Sequence, residues 1–117
     1  MTQDAFYITT PIYYCNDAPH VGHAYTTIAC DVLARFNRLD GKTVKFLTGT
    51  DEHGQKVAQA AAKNGITPLT QCDSTVVRYK DLWQKLEITN DYFIRTTDEE
   101  HKAIVSNILQ TLFDRGE

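Results

Sequence analysis

Twice in its first 65 residues the chain passes from a β-branched, aromatic run through a polar loop into a segment of helical period. Residues 5–10 (AFYITT), bounded by Pro11, form the first run, and residues 44–48 (VKFLT) form the second. Strands separated by helices pair in parallel through right-handed crossovers, so this alternation argues for an α/β sheet. Between the two runs, Tyr25, Ile28, Ala29, Val32, Leu33 and Phe36 recur at three- and four-residue steps. That spacing predicts a helix from about residue 22 with one buried face, stopped at Asp40-Gly41.

A second helix fits residues 55–63, with Asn64-Gly65 as terminator. Thr67 and Pro68 open a third, running to about residue 86, because Thr caps well and Pro suits the first helical position. In that helix Trp83 and Leu82 read as packing surface. A short strand is expected at 92–94. Thr97 with Glu100 reads as a capping box for a last amphipathic helix carrying Ile104, Ile108, Leu109 and Leu112. A parallel sheet needs both faces covered and more than two strands. The 117 residues are therefore expected to be the opening portion of a larger domain.

Charge gives no reason to expect a chain that coats nucleic acid: 12 basic against 15 acidic side chains leave −3. A hydrophobic fraction of 42% with 23% charged residues is ordinary globular composition. No apolar run approaches the roughly 20 residues that cross a membrane, and no membrane partner is expected. The N-terminal MTQDAFYITTP lacks a basic segment followed by an apolar stretch. Cys15, Cys30 and Cys72 are odd in number and widely spaced, and read as reduced thiols. The expectation is a soluble cytoplasmic chain.

Chemistry concentrates where the two runs end. Pro19-His20-Val21-Gly22-His23 stands at the entrance to the first long helix, and helix starts attract phosphate. In open parallel sheets, ligands bind beyond the carboxyl ends of the strands, where this loop would lie. His20 and His23 can project from one side of a first turn and donate to phosphoryl oxygens, and Gly22 lets a flat base or ribose approach. The same four residues also fit two surface histidines capping a helix, or a general acid/base pair without a nucleotide. Cys15, His20, His23 and Cys30 are metal-ligand types, but they lack a closely spaced cysteine pair, and Cys30 suits the apolar part of the helix.

The loop Thr48-Gly49-Thr50-Asp51-Glu52-His53-Gly54 would bring Asp51, Glu52 and His53 to the same sheet edge. A carboxylate there can hold an ammonium group; helix capping by Asp51 or Thr50 is the plainer reading. Ile12, Tyr13 and Tyr14 either line an apolar pocket or cover the end of the sheet.

FYITTPIYYCNDAPHVGHAYTTIACDVLARFNRLDG followed by FLTGTDEHGQK closely resembles the N-terminus of bacterial and organellar methionyl-tRNA synthetases, most specifically over residues 6–56. H-x-G-H alone marks the class I synthetase and nucleotidyltransferase superfamily; TTPIYY and TGTDEHG mark the methionine enzymes. Val21 stands where the family usually has isoleucine or leucine. The resemblance implies a Rossmann catalytic domain, incomplete here, of which residues 1–117 are the N-terminal part. It implies methionine activation by ATP, with magnesium, to methionyl-adenylate, and transfer to tRNA(Met). By resemblance, His20, Gly22 and His23 contact ATP, the two histidines being catalytic, while Ile12, Tyr14 and Asp51 bind methionine. The family's K-M-S-K-S loop is not among these residues, and zinc is expected only in an insertion further along the family's chain. The 117 residues alone are expected not to form methionyl-adenylate. Two other readings remain: another HxGH nucleotidyltransferase, and a truncated, catalytically inactive nucleotide-binding module.

Overall fold

A central nine-residue strand organises the chain. The computed structural model describes residues 4–117, so the first three residues of the stretch inspected for a targeting signal lie outside it. The elements are β1 (Ala5–Thr9), β2 (Tyr13–Tyr14), α1 (Val21–Leu39), β3 (Thr43–Asp51), α2 (Gln55–Asn64), α3 (Pro68–Lys85), β4 (Tyr92–Arg95) and α4 (Glu99–Arg115). All strand pairs are parallel, as the alternation predicts. Leu47 of β3 lies between Thr9 and Tyr92, and Thr50 lies between Tyr13 and Arg95. Strands β1 and β2 thus flank β3 end to end on one side, with β4 on the other. The expected loop at 49–54 is partly strand, because β3 runs on to Asp51 and gains β2 as a partner.

One face of this sheet carries the core. Val44 and Phe46 of β3 pack on Ala34 of α1, with Phe6 and Ile8 of β1 alongside. Phe93, in register with Thr48, packs against Val57, Cys72 and Val76, and against Tyr79 and Trp83 of α3. Helices α1, α2 and α3 therefore share a side, as successive right-handed crossovers require. On the opposite side Tyr7, Lys45 and Tyr92 are exposed.

The expected burial of α1 is reversed. Tyr25 is 78% and Phe36 62% exposed, and Ile28, Val32 and Leu33 are exposed too. The row turned to the sheet is Thr27, Asp31, Ala34 and Asn37. This polar row can be buried because each member is satisfied. The Asp31 carboxylate accepts from Thr89 N and Oγ1 at 2.7 and 2.5 Å and from Arg35 Nε at 2.7 Å. Asn37 donates to the Leu33 carbonyl and accepts from Lys42. Periodicity located the apolar stripe correctly, but the stripe faces away from the sheet.

The last helix also begins differently. Its N-cap is Asp98, without a side-chain cap bond, and the Thr97 hydroxyl donates instead to Glu52. Thr67 caps α3 as expected, accepting from Thr70 N at 3.2 Å. No helix among the described residues is long and apolar enough to cross a membrane.

Candidate active site

The loop after β2 delivers the histidine pair to the first turn of α1. His20 is the N-cap residue, in extended backbone geometry. Its Nδ1 accepts the Gly22 N–H at 3.0 Å, while His23 Nδ1 accepts the N–H of His20 at 3.0 Å. The rings lie 3.9 Å apart between centroids, tilted by 35°. With both Nδ1 atoms accepting, each neutral imidazole must carry its proton on Nε2. Protonating either Nδ1 would break a helix cap. Burial, and after it the neighbouring His20, hold His23 below the usual histidine range. The capping reading is therefore correct as geometry, and it also leaves the His20 Nε2–H as a donor beside the positive end of α1, while the His23 Nε2–H is directed at the Tyr79 hydroxyl.

Gly22 has a local reason as well. A Cβ there would stand 2.9 Å from His20 Cε1 and 3.1 Å from Nδ1, so any side chain pushes the ring off its cap.

An aromatic wall backs His23. Tyr13 meets its ring edge-on at 4.7 Å and Tyr79 does so at 5.3 Å, while the two tyrosines stack at 5.7 Å and 11°. The Tyr13 hydroxyl bonds Thr27 Oγ1 at 2.9 Å, and the Tyr79 hydroxyl lies 3.3 Å from His23 Nε2. Burial raises both phenols above the ordinary tyrosine value, so both stay protonated. Tyr13 covers the end of the sheet in the core, whereas Tyr14 and Ile12 are exposed at a cleft of about 360 Å³ shared with Asn16, Asp17, His20, His23 and Tyr79.

A second cleft, of about 470 Å³, opens beside the first between the end of β3 and α4. Asp51, His53, Thr96, His101 and Lys102 line it, and Ile12 borders both clefts. The β2–β3 register sets Tyr14 directly beside Asp51. Ile12, Tyr14 and Asp51, far apart in sequence, thus gather at one strand end. Asp51 does not cap α2, whose N-cap is Gly54 and has no side-chain cap bond; the Asp51 Oδ1 takes the His53 N–H at 3.5 Å.

Glu52 departs from the expected cluster. It turns inward, 3% exposed, and accepts from Arg95 Nε at 2.7 Å and Nη2 at 2.6 Å. Thr50 and Thr97 hydroxyls complete its shell. The carboxylate fixes the β4 end to the loop after β3 and faces neither cleft.

The metal-ligand types considered from sequence are dispersed. Cys30 packs beside Ala34, Val44 and Phe46, and Cys15 is buried with Cys72. Among the described residues the one close group of metal-ligand types is Cys15, Glu52 and Cys72, within 4.8 Å. It does not suit a divalent cation: Arg95 occupies the carboxylate, and burial pushes the two thiols up to about 11 and about 12.

Tyr79, Thr96 and His101 carry no signal in the linear sequence that ties them to the clefts, and Arg95 none that ties it to Glu52. Tyr79 reads as one more apolar position of α3, and only the fold brings it to His23.

A parallel sheet with α1, α2 and α3 on one face and a histidine pair at the first helix start defines an α/β domain of the Rossmann kind. The family model described as "tRNA synthetases class I (M)" matches residues 6–117, and the chain belongs to that family. A methionine–tRNA ligase of Streptomyces coelicolor is 54% identical over 114 residues, covering 97% of this chain and 21% of the relative. One from Thermotoga maritima is 55% identical over 112 residues, covering 96% and 18% respectively. The solved structure of Mycobacterium tuberculosis methionyl-tRNA synthetase in complex with methionyl-adenylate superposes with a TM-score of 0.83 at 52% identity. That match covers 85% of this chain and 19% of the solved one. The chain thus spans about a fifth of the relatives it matches.

Proposed function

We propose that this chain is the N-terminal part of the catalytic domain of a cytoplasmic methionine–tRNA ligase. It would activate methionine with ATP and pass the methionyl group to tRNA(Met). The reading rests on the names borne by its relatives, on the adenylate held by its solved neighbour, and on one feature of the site. That feature is the pair of imidazoles whose Nδ1 atoms accept backbone N–H groups at the start of α1, which leaves Nε2 of each ring as its donor.

In the first step a methionine carboxylate oxygen bonds to the α-phosphorus of ATP, and the bond to pyrophosphate breaks. Negative charge builds on the phosphoryl oxygens as the anhydride opens. Fixed donors that need no reorganisation stabilise this charge, and such reactions depend on positioning and electrostatics more than on a protein nucleophile. His20 and His23 supply two donors of that kind. Burial, and after it the neighbouring ring, favours the neutral form of His23. Gly22 keeps the His20 ring seated beside the nucleotide.

At the neighbouring strand end Asp51 would hold the α-ammonium of methionine, with Ile12 and Tyr14 against its side chain. Ile12, bordering both clefts, lies where the amino acid and the nucleotide must meet. Magnesium enters with ATP as part of the substrate.

The test is ATP–pyrophosphate exchange by the full-length polypeptide that contains residues 1–117. Exchange that requires methionine, and that no other amino acid supports comparably, is the expected result. Exchange without an amino acid, or none at all from folded protein, would refute the assignment.

A further inference from the structure

The histidine–tyrosine contact behind the cap has a directional consequence. His23 Nδ1 is already an acceptor, from His20 N–H at 3.0 Å. Its Nε2 therefore carries the proton, and the 3.3 Å contact with the Tyr79 hydroxyl runs from imidazole to phenol oxygen. The phenol cannot be the donor while the cap is intact.

We propose that Tyr79 is a positioning residue for His23: its hydroxyl oxygen accepts the Nε2–H and so holds the imidazole in the one tautomer whose Nδ1 caps α1.

The surroundings make Tyr79 suited to this. Its ring is 1% exposed and stacked on Tyr13, which is held in turn by Thr27, so the hydroxyl is fixed by packing and not by solvent. A buried phenol stays protonated, and its own O–H proton is then left to be donated away from His23, along the wall of the first cleft. The ring nitrogens of His23 thus form a relay that starts at the His20 backbone and ends at a tyrosine proton. An arriving anion would share the Nε2–H without the ring having to turn. Tyr13, equally near, cannot substitute, because its hydroxyl is 2.9 Å from Thr27 and 3.5 Å from the His23 carbonyl and is not paired with the imidazole.

The tautomer can be read without activity. Nitrogen-15 spectra of the full-length polypeptide, labelled at histidine and assigned with His23→Gln, should show His23 with its proton on Nε2 alone. Tyr79→Phe, which removes one oxygen and keeps the stacked ring, leaves the cap bond as the sole restraint and should let a fraction of Nδ1-protonated His23 appear, with the cap bond broken in that fraction. Tyr13→Phe should leave the single tautomer unchanged. An Nδ1-protonated His23 in the unsubstituted protein, or an unaltered tautomer in Tyr79→Phe, would overturn the proposal.

The effect on chemistry rests on the function proposed above. There, losing one hydrogen bond of ordinary strength should lower kcat for methionine-dependent exchange about three- to tenfold in Tyr79→Phe, with KM for methionine unchanged. A kcat equal to that of the unsubstituted protein counts against the positioning role. Absent exchange in the unsubstituted protein, with the tautomer result intact, refutes the assigned reaction and supports the lock.

Discussion

Replacing Arg95 by methionine should expose how strongly the loop after β3 depends on one buried ion pair. The Glu52 side chain is fully buried, and Arg95 grips it with Nε and Nη2 at 2.7 and 2.6 Å. Removing one partner of such a pair strands the other and costs about 3–5 kcal/mol. Two hydroxyls, Thr50 Oγ1 at 3.0 Å and Thr97 Oγ1 at 3.2 Å, remain on the carboxylate after the change. They place the cost near the lower end, about 3 kcal/mol. The second arginine contact, to the mostly exposed carboxylate of Asp73, adds at most about 1 kcal/mol. Urea unfolding followed by fluorescence of Trp83, the one tryptophan among these 117 residues and a buried one, should report a midpoint lowered by about 1.5 M if the slope is about 2 kcal/mol/M. Adding Glu52→Gln removes the stranded charge, so the double variant should regain most of the loss. A midpoint for Arg95→Met within error of the parent, or a double variant no more stable than Arg95→Met, would refute this reasoning.

Three further outcomes follow from the same geometry. Gly49→Ala should destabilise the chain by about 2–3 kcal/mol in the same unfolding assay, since a Cβ there would lie 2.1 Å from the Ile94 carbonyl oxygen, which is backbone and cannot swing aside. Gly22→Ala should leave overall stability nearly unchanged but displace the His20 ring, visible as loss of its Nδ1 cap in histidine nitrogen spectra. His23 has a lowered folded pKa, so the unfolded chain binds the extra proton first. Its contribution to stability is present above the ordinary histidine pKa and is lost as pH falls through that value toward the folded one. His23→Gln should flatten this part of a Tm-against-pH curve recorded between about pH 7.5 and 5, and an unchanged slope would remove His23 as its source.

The parallel sheet was legible in the sequence because its cause is local: two β-branched runs, each followed by a helix, have few ways to pair. The histidine pair and Asp51 were legible because they sit at strand ends, where chain order already predicts position. What escaped is long-range. Residues 13–14 are too short a run to announce a strand, and exist as one only because β3 continues far enough to pair with them. The orientation of α1 could not be read from its apolar stripe, because the buried face is a polar row whose partners, such as Thr89, lie more than 50 residues away. Thr97 has the spacing of a capping box yet serves Glu52, since a buried carboxylate is the stronger acceptor. Tyr79 and Arg95 likewise acquire meaning from contacts that span 56 and 43 residues.

The decisive substitution is His20→Asn in the full-length polypeptide. Asparagine is a good N-cap, so α1 should keep its start and the protein its stability, while the Nε2–H donor is gone. Two roles that coincide in one side chain are thereby separated. The account predicts an unchanged melting temperature together with methionine-dependent ATP–pyrophosphate exchange lowered about 100- to 1,000-fold, the loss typical of one transition-state donor. Exchange at the parental rate from this variant would mean that the imidazole does no more than cap a helix.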